Sequence, residues 1–249
     1  MIELPIFKCR ASAAGVLMVE PKKKKKTVYT FFGAEITAQK YSSIISKSIS
    51  DNDFSAISGL KKEEFEIESE IISETTKTYV HEWLKENIYG VKKQISSKEI
   101  NKGIEFEDMA IDKAIEWLDL PFAIKNDKRF EDDFFTGEPD LILQDSVHDI
   151  KNSWDAFTFP LFDTEIPTKG YEYQVQIYMH LTGLKKASVD YVLLNTPETP
   201  WSMEIDYTHL DKKFRIKTFE FEYDSEIIAK LQERVLLIRE YINTLITNL

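Results

Sequence analysis

The stretch GEPDLILQDSVHDIKNSW, residues 137–154, constrains this chain more tightly than any other. It reads as two short apolar strands, FTGEPDLILQ and SVHDIKNSW, joined by a turn at QDS. Side chains alternate along a strand, so Asp149 and Lys151 fall on one side and His148 on the other. Asp140 follows Pro139 in the first segment. Two carboxylates and an ammonium on core-forming segments are costly to bury unless they are paired or bind something. The fold must therefore bring these three charges to a common cleft, and the ligand they suggest is a divalent metal with a phosphate.

The flanking sequence supplies helices. SETTKTYVHEWLKENIYG predicts a helix with Tyr79, Trp83 and Ile88 inward and Gly90 at its end. SSKEINKGIEFEDMAIDKAIEWL predicts one continuous helix, opened by a capping box of Ser96 and Glu99. Its apolar stripe runs Ile100, Ile104, Ile111, Ala114 and Leu118, and Glu107 lies on that stripe, an unusual place for a carboxylate. YEYQVQIYMHLTG predicts a helix ending at Gly183, with Tyr171, Gln174, Val175 and Tyr178 on one face. ASVDYVLL is a buried strand, RIKTFEFEYD an exposed one, and residues 224–249 a long amphipathic helix. Helices interspersed with strands point to an α/β (α+β) fold, a central mixed sheet flanked by helices. Residues 27–72, with strands expected at 27–32 and 65–71, read as an insertion or lid-like region of one domain spanning 1–249.

Composition closes off several alternatives. The lone Cys9 excludes an intrachain disulfide, a cysteine-ligated zinc site or an iron–sulfur cluster, and suits a reducing, cytoplasmic setting. No apolar run approaches the ~20 residues that span a bilayer, so no membrane partner is expected. AAGVLMV after Lys8 and Arg10 reads as a short helix rather than a signal segment, because Glu20, Pro21 and five lysines follow it. The net charge of −11 argues against a generally basic nucleic-acid binder. DNA contact is then confined to a local basic patch and bound cations. The lysine run 22–26 reads as a solvated loop, and His81, His180 and His209 show no ligand spacing.

Four elements thus contribute inward polar residues: Glu107, Asp140, the Asp149/Lys151 pair and Gln174. Hard divalent cations take a few carboxylates together with water and substrate phosphate, and two such ions can steady the attacking and leaving oxygens of a phosphodiester. On these residues the chain resembles a known superfamily. GEPD…DIK is similar to the PD-(D/E)xK nuclease signature, with Asp149 where Glu is more common. YEYQVQIYMHLTG resembles the Gln-containing helix of the lambda-type (YqaJ-like) phage exonucleases, KGIEFED their Gly-x-x-x-acid helix, and RASAAGVLMVEPK their opening segment.

The resemblance covers residues 8–26 and roughly 73–200, and it implies a restriction-endonuclease-like core. It implies Asp140, Asp149 and the Ile150 carbonyl as ligands of Mg2+, with Mn2+ able to substitute and two ions held. Glu107 would serve the second ion or a bridging water, Lys151 would be the catalytic lysine, and Gln174 would orient it. Arg10 and Ser12, with Lys8, Lys22, Lys23 and Lys24, would contact DNA. The reaction implied is exonucleolytic digestion of linear double-stranded DNA, 5′ to 3′, in phage-type recombination or repair. A ring trimer and a single-strand annealing protein are the implied partners. One departure is Glu138, where the family tends to have a small hydroxyl residue; its carboxylate would repel a terminal 5′-phosphate. The alternatives are a structure-specific or restriction-like endonuclease on the same core, and a catalytically silent DNA-binding module.

Overall fold

The computed structural model describes residues 4–67, 71–94, 97–120, 122–199 and 203–249. The chain divides into two compact units, residues 20–74 and residues 1–19 with 75–249. The larger opens with β1 (Cys9–Arg10), a 3-10 turn (Ala11–Ala13) and α1 (Ala14–Leu17).

The smaller unit holds β2 (Lys24–Phe31), β3 (Ala34–Ile36), α2 (Ala38–Ser50) and β4 (Leu60–Ile67), its three strands ordered β3-β2-β4 and antiparallel. The predicted strand at 27–32 thus begins earlier, and the one at 65–71 is shifted to 60–67; residues 68–70 lie outside the described set. The expected lysine loop is also corrected, since Lys24, Lys25 and Lys26 belong to β2. The reason lies on β4, whose glutamates meet the lysines. Lys23 pairs with Glu66 at 2.9 Å and Lys25 with Glu64 at 3.8 Å, which removes the self-repulsion that would keep the run extended in water.

The chain then returns through α3 (Glu74–Tyr89), α4 (Lys98–Glu105), α5 (Glu107–Trp117), β5 (Phe130–Glu131), β6 (Phe135–Gly137), β7 (Leu141–Ile142), β8 (Ser146–Asn152), α6 (Lys169–Thr182), β9 (Lys186–Val192), β10 (Ile216–Glu222) and α7 (Ser225–Thr247). The central sheet is mixed, ordered β10-β9-β8-β7, with β8 and β9 parallel and both outer pairs antiparallel. A second small sheet, β1-β6-β5, lies in the same unit. The α/β core expected from the sequence is what forms.

Two expectations need correction. FTGEPDLILQ is not one strand: Phe135–Gly137 joins the small sheet and Leu141–Ile142 the central one, because Pro139 has no N–H to continue a ladder. Nor is residues 96–118 one helix. Phe106, at φ −109° and ψ 13°, leaves helical geometry and separates α4 from α5. The predicted stripe fails on α4, where Ile100 and Ile104 are exposed and Lys102 is the buried residue. The cap is Ser97, accepting from the Ile100 N–H at 3.2 Å; the expected cap Ser96 lies outside the described residues.

The remaining helices follow their patterns. On α3 the buried line is Thr76, Val80 and Leu84, with Tyr79 and Trp83 beside it, both edge-on to Phe7. α7 buries Ile228, Leu231, Val235, Ile238 and Ile242, a 3–4 spacing, and Asp224 caps it through the Glu226 and Ile227 N–H groups. α6 is central, with residues 174–179 all buried. It stops at Gly183, whose φ of 77° a side chain would strain. It starts against α1, where a Cβ on Gly15 would sit 2.7 Å from the Gly170 Cα, so only glycine lets these backbones meet.

Candidate active site

β8 and α6 build the floor of a cleft of about 680 Å³, whose lining includes Glu107, Asp140, Asp149, Lys151, Tyr171 and Gln174. Strand alternation does what the sequence required. Asp149 and Lys151 share one face of β8, and the Lys151 ammonium lies 2.8 Å from Asp149 Oδ2. Asp149 is 2 % exposed, buried beneath α6. The Gln174 amide donates to Asp149 Oδ1 at 2.9 Å and to the Tyr178 hydroxyl at 2.8 Å, while its carbonyl accepts from Lys151 at 3.4 Å. The Tyr171 ring centroid sits 4.4 Å from the Lys151 Nζ. Lysine, carboxylate and amide therefore hold one another in place.

Asp140 enters from the turn before β7. Its Oδ2 accepts the Ile150 N–H at 2.6 Å, which fixes the carboxylate against the middle of β8. Asn126 clamps the same turn, its side chain donating to the Pro139 carbonyl and its N–H to the Asp140 carbonyl. Burial first and the Asp149 charge second push the Asp140 carboxyl up to about 7, and burial likewise raises Asp149. Burial works to lower the Lys151 ammonium, but Asp149, supported by Tyr171 and Asp140, outweighs it and the net shift is upward.

This is the signature of a site short of positive charge. Asp149 Oδ2 is sealed from solvent, with the ammonium beside it but no aligned hydrogen-bond donor. Two carboxylates, the nearby Ile150 carbonyl and open cleft volume fit a hard divalent cation completed by water and phosphate. Among the described residues no three His, Cys, Asp or Glu side chains form a cage by themselves.

Glu107 does not point inward as a buried residue. It is the first residue of α5, about half exposed, and pairs with Lys125 at 2.6 Å at the cleft rim. The helix break at Phe106 sets that direction. His148 faces the other side of the sheet, as alternation predicts, and belongs to a closed network with Asp190 (2.8 Å), Ser188 (2.7 Å) and Ser146 (3.3 Å).

Arg10 and Ser12 line a separate small cavity of about 180 Å³ with Arg129, Thr136, Glu138 and Tyr178. Here Glu138 is not a bare negative charge, because Arg129 pairs with it at 3.1 Å. Lys8 pairs with Glu131 at 3.4 Å. Lys22 and Lys23 are in the smaller unit and exposed; Lys24 lies on β2, its side chain outside the described set.

Compared with solved structures, the chain matches the phage-related exonuclease from Haemophilus somnus 129PT along nearly its whole length. The two share 26 % identity at a TM-score of 0.70, over 98 % of this chain and 97 % of that one. This chain is a structural relative of the phage-type exonucleases. An alkaline exonuclease from Laribacter hongkongensis has the same fold (TM-score 0.59, 13 % identity, 97 % and 94 % covered), as does its complex with dAMP (0.54, 17 %, 71 % and 87 %). No protein-family model matches the sequence, and a comparison with curated proteins gives no match.

Within this exonuclease fold three residues escaped the sequence reading. Asn126 and Arg129 lie in a segment without periodicity, and nothing local ties them to the Pro-Asp turn. Lys102 is more telling. It is 2 % exposed and donates to the carbonyls of Ser153 and Trp154 at 2.8 Å and of Leu194 at 3.1 Å. Its three protons thus meet three acceptors, two of them directly after β8. The sequence reading did not single it out, because the stripe drawn through Ile100 and Ile104 leaves position 102 off the buried face.

Proposed function

We propose that this chain is a divalent-metal-dependent DNA exonuclease acting on linear duplex ends, 5′ to 3′, in phage-type recombination or repair. The observation that carries the reading is the Asp140–Asp149–Lys151 cluster, with Asp149 buried and the other two partly buried, oriented by Gln174 and opening on a cleft, in a chain whose fold matches that of a phage-related exonuclease. Asp140, Asp149 and the Ile150 carbonyl would hold Mg2+ or Mn2+, with Glu107 at the rim for a second ion once released from Lys125. Bound there, the metal supplies Lewis-acid polarisation of the phosphate and a nucleophilic water at neutral pH.

The protein's own residues do the rest. Lys151, kept protonated by Asp149 and steered by Gln174, offsets charge building on the phosphate oxygens. Tyr171 covers the ammonium and limits its access to water. Arg10 and Ser12 hold the DNA end, and Arg129 neutralises Glu138 so that a terminal phosphate can approach. Residues 27–72 are an inserted element of the single nuclease domain, with Lys22, Lys23 and Lys24 at its start available to the DNA backbone, as is Lys8. A cytoplasmic setting, a ring of three subunits and an annealing protein as partner complete the reading. Among the described residues no helix is long and apolar enough to cross a membrane.

End-labelled linear duplex, incubated with magnesium beside a closed circle, tests the proposal. Loss of the linear DNA alone supports an exonuclease, and cutting of the circle makes the protein an endonuclease. Loss of neither, with DNA still bound, makes it a silent binding module. Binding should weaken steeply with salt, since phosphate contacts release counterions.

A further inference from the structure

A second cavity of about 540 Å³, walled in part by Phe106, opens between α5 and the segment leading into β10. Phe106, Met109, Trp117, Leu194 and Leu210 give it apolar walls, and Lys113, Lys212 and Arg215 supply cations. Arg215 is the anomaly. It is 8 % exposed, its Nε donates to the Leu193 carbonyl at 3.1 Å, and its guanidinium lies 4.7 Å from the Trp117 ring centroid. Its two terminal nitrogens have no acceptor among the described residues, and no carboxylate among them lies within ion-pair distance. Asp206 acts on it from farther away.

A guanidinium stays charged at any working pH and carries five donors in a planar fork. The residue is largely buried, but neither terminal nitrogen is sealed from solvent, so the fork is open to the cavity it lines, and a phosphate is the anion that fits it with two parallel bonds. The other charged groups on the lining are already committed. Lys113 pairs with Glu116 at 2.7 Å, Lys212 donates to the Trp117 carbonyl at 2.9 Å, and Glu204 accepts from Asn195 at 3.2 Å. Arg215 and Lys212 each donate to one backbone carbonyl and have no acidic partner among the described residues, and of the two only Arg215 is buried and packed on Trp117. The apolar walls argue against a bare inorganic ion and for a phosphate that carries a flat, stackable group; the volume lies within the roughly 300–1,000 Å³ of small-molecule sites.

We propose that this cavity is an accessory nucleotide-phosphate site, with Arg215 gripping the phosphate and Trp117, Phe106 and Met109 flanking the base. The phosphate belongs either to a DNA strand running on from the neighbouring cleft or to a free mononucleotide. The site goes beyond the nuclease reading and does not depend on cleavage.

Titration calorimetry without divalent metal tests it, with dAMP and a short single-stranded oligonucleotide as probes against the wild type, Arg215→Gln, Lys113→Glu and Lys151→Ala. Expected are saturable binding of at least one probe to the wild type, a loss of about tenfold or more in Arg215→Gln, a smaller loss in the rim variant Lys113→Glu, and retained binding in Lys151→Ala. Binding of dAMP assigns the site to free nucleotide, and binding of the oligonucleotide alone assigns it to the strand. Should Arg215→Gln fail to fold, Lys113→Glu decides, because it reverses a charge at the partly exposed edge of the cavity, 5.9 Å from the Trp117 ring centroid, without touching the core. Wild-type affinity in both pocket variants, or no saturable binding of either probe to the wild type, overturns the proposal. A protein that binds here yet cuts no DNA would sink the nuclease reading and leave this one standing.

Discussion

The lysine run of β2 and the single Lys151 of β8 are two ways of carrying positive charge, and they behave oppositely. The run is conspicuous in sequence, yet Lys23 and Lys25 are exposed and faced by Glu66 and Glu64. Exposed pairs of this kind contribute about 0–1 kcal/mol each, so the ribbon is a solvated charge zipper. Lys151 is one residue among many lysines, but it sits beside one buried and one partly buried carboxylate, where water cannot take its place at Asp149. The density of charge along a chain therefore says little about function. The cost of placing a charge says a good deal more.

The largest effect that can break this contrast is chemical. Lys151→Ala and Asp149→Asn should each lower the rate of duplex digestion by at least ~100-fold in a labelled-end assay. Far-ultraviolet circular dichroism should remain that of the folded chain. A residual rate within a fewfold of wild type would reduce Lys151 to a structural partner of Asp149.

Next in size is a buried lysine outside the cleft. Lys102→Met removes the donor of the Ser153 and Leu194 carbonyls and leaves that of Trp154 to the Thr196 hydroxyl alone, and should cost about 3 kcal/mol in denaturant unfolding. An unchanged midpoint would mean that water replaces the ammonium there.

The carboxylate pair makes stability depend on pH. Asp140, raised from 3.8 to about 7 mainly by burial, keeps its proton in the folded chain where the unfolded chain has lost it. Its contribution is fully present below about pH 4, declines as the pH rises toward 7 and is lost above that. The melting temperature of the metal-free protein should follow that slope, and Asp140→Asn should flatten it. A magnesium ion held as proposed would compete with the proton, so magnesium should raise the melting temperature by about 5 °C at pH 8 and by little at pH 5. Equal metal stabilisation at both values would place the ion elsewhere.

The smallest effect sharpens the contrast from the other side. Lys22→Ala with Lys23→Ala should shift stability by less than about 0.5 kcal/mol and digestion by less than about twofold at moderate salt. A tenfold loss of activity would make the ribbon a DNA contact after all.

Legibility followed range. Gln174, Asp149, Lys151 and His148 were readable because strand and helix periods fix which way a side chain points relative to its neighbours in the chain. Glu107 lines the cleft from its exposed rim rather than from a buried stripe, because a stripe continued through Phe106 assumed a helix that the structure breaks. Asn126 and Arg129 were invisible, since each acts through a partner 9–13 residues away in a segment with no period. Arg215 looked like the start of an exposed strand, and only its packing against Trp117 isolates it.

By itself, then, the sequence determined the α/β layering, the sides of β8 and α6, and the chemical types at the candidate site, because local backbone geometry sets all of these. Tertiary structure alone decided which charges are paired, where α4 ends and α5 begins, and which cations stay open. Those outcomes depend on desolvation and on partners distant in the chain, and no local pattern encodes either.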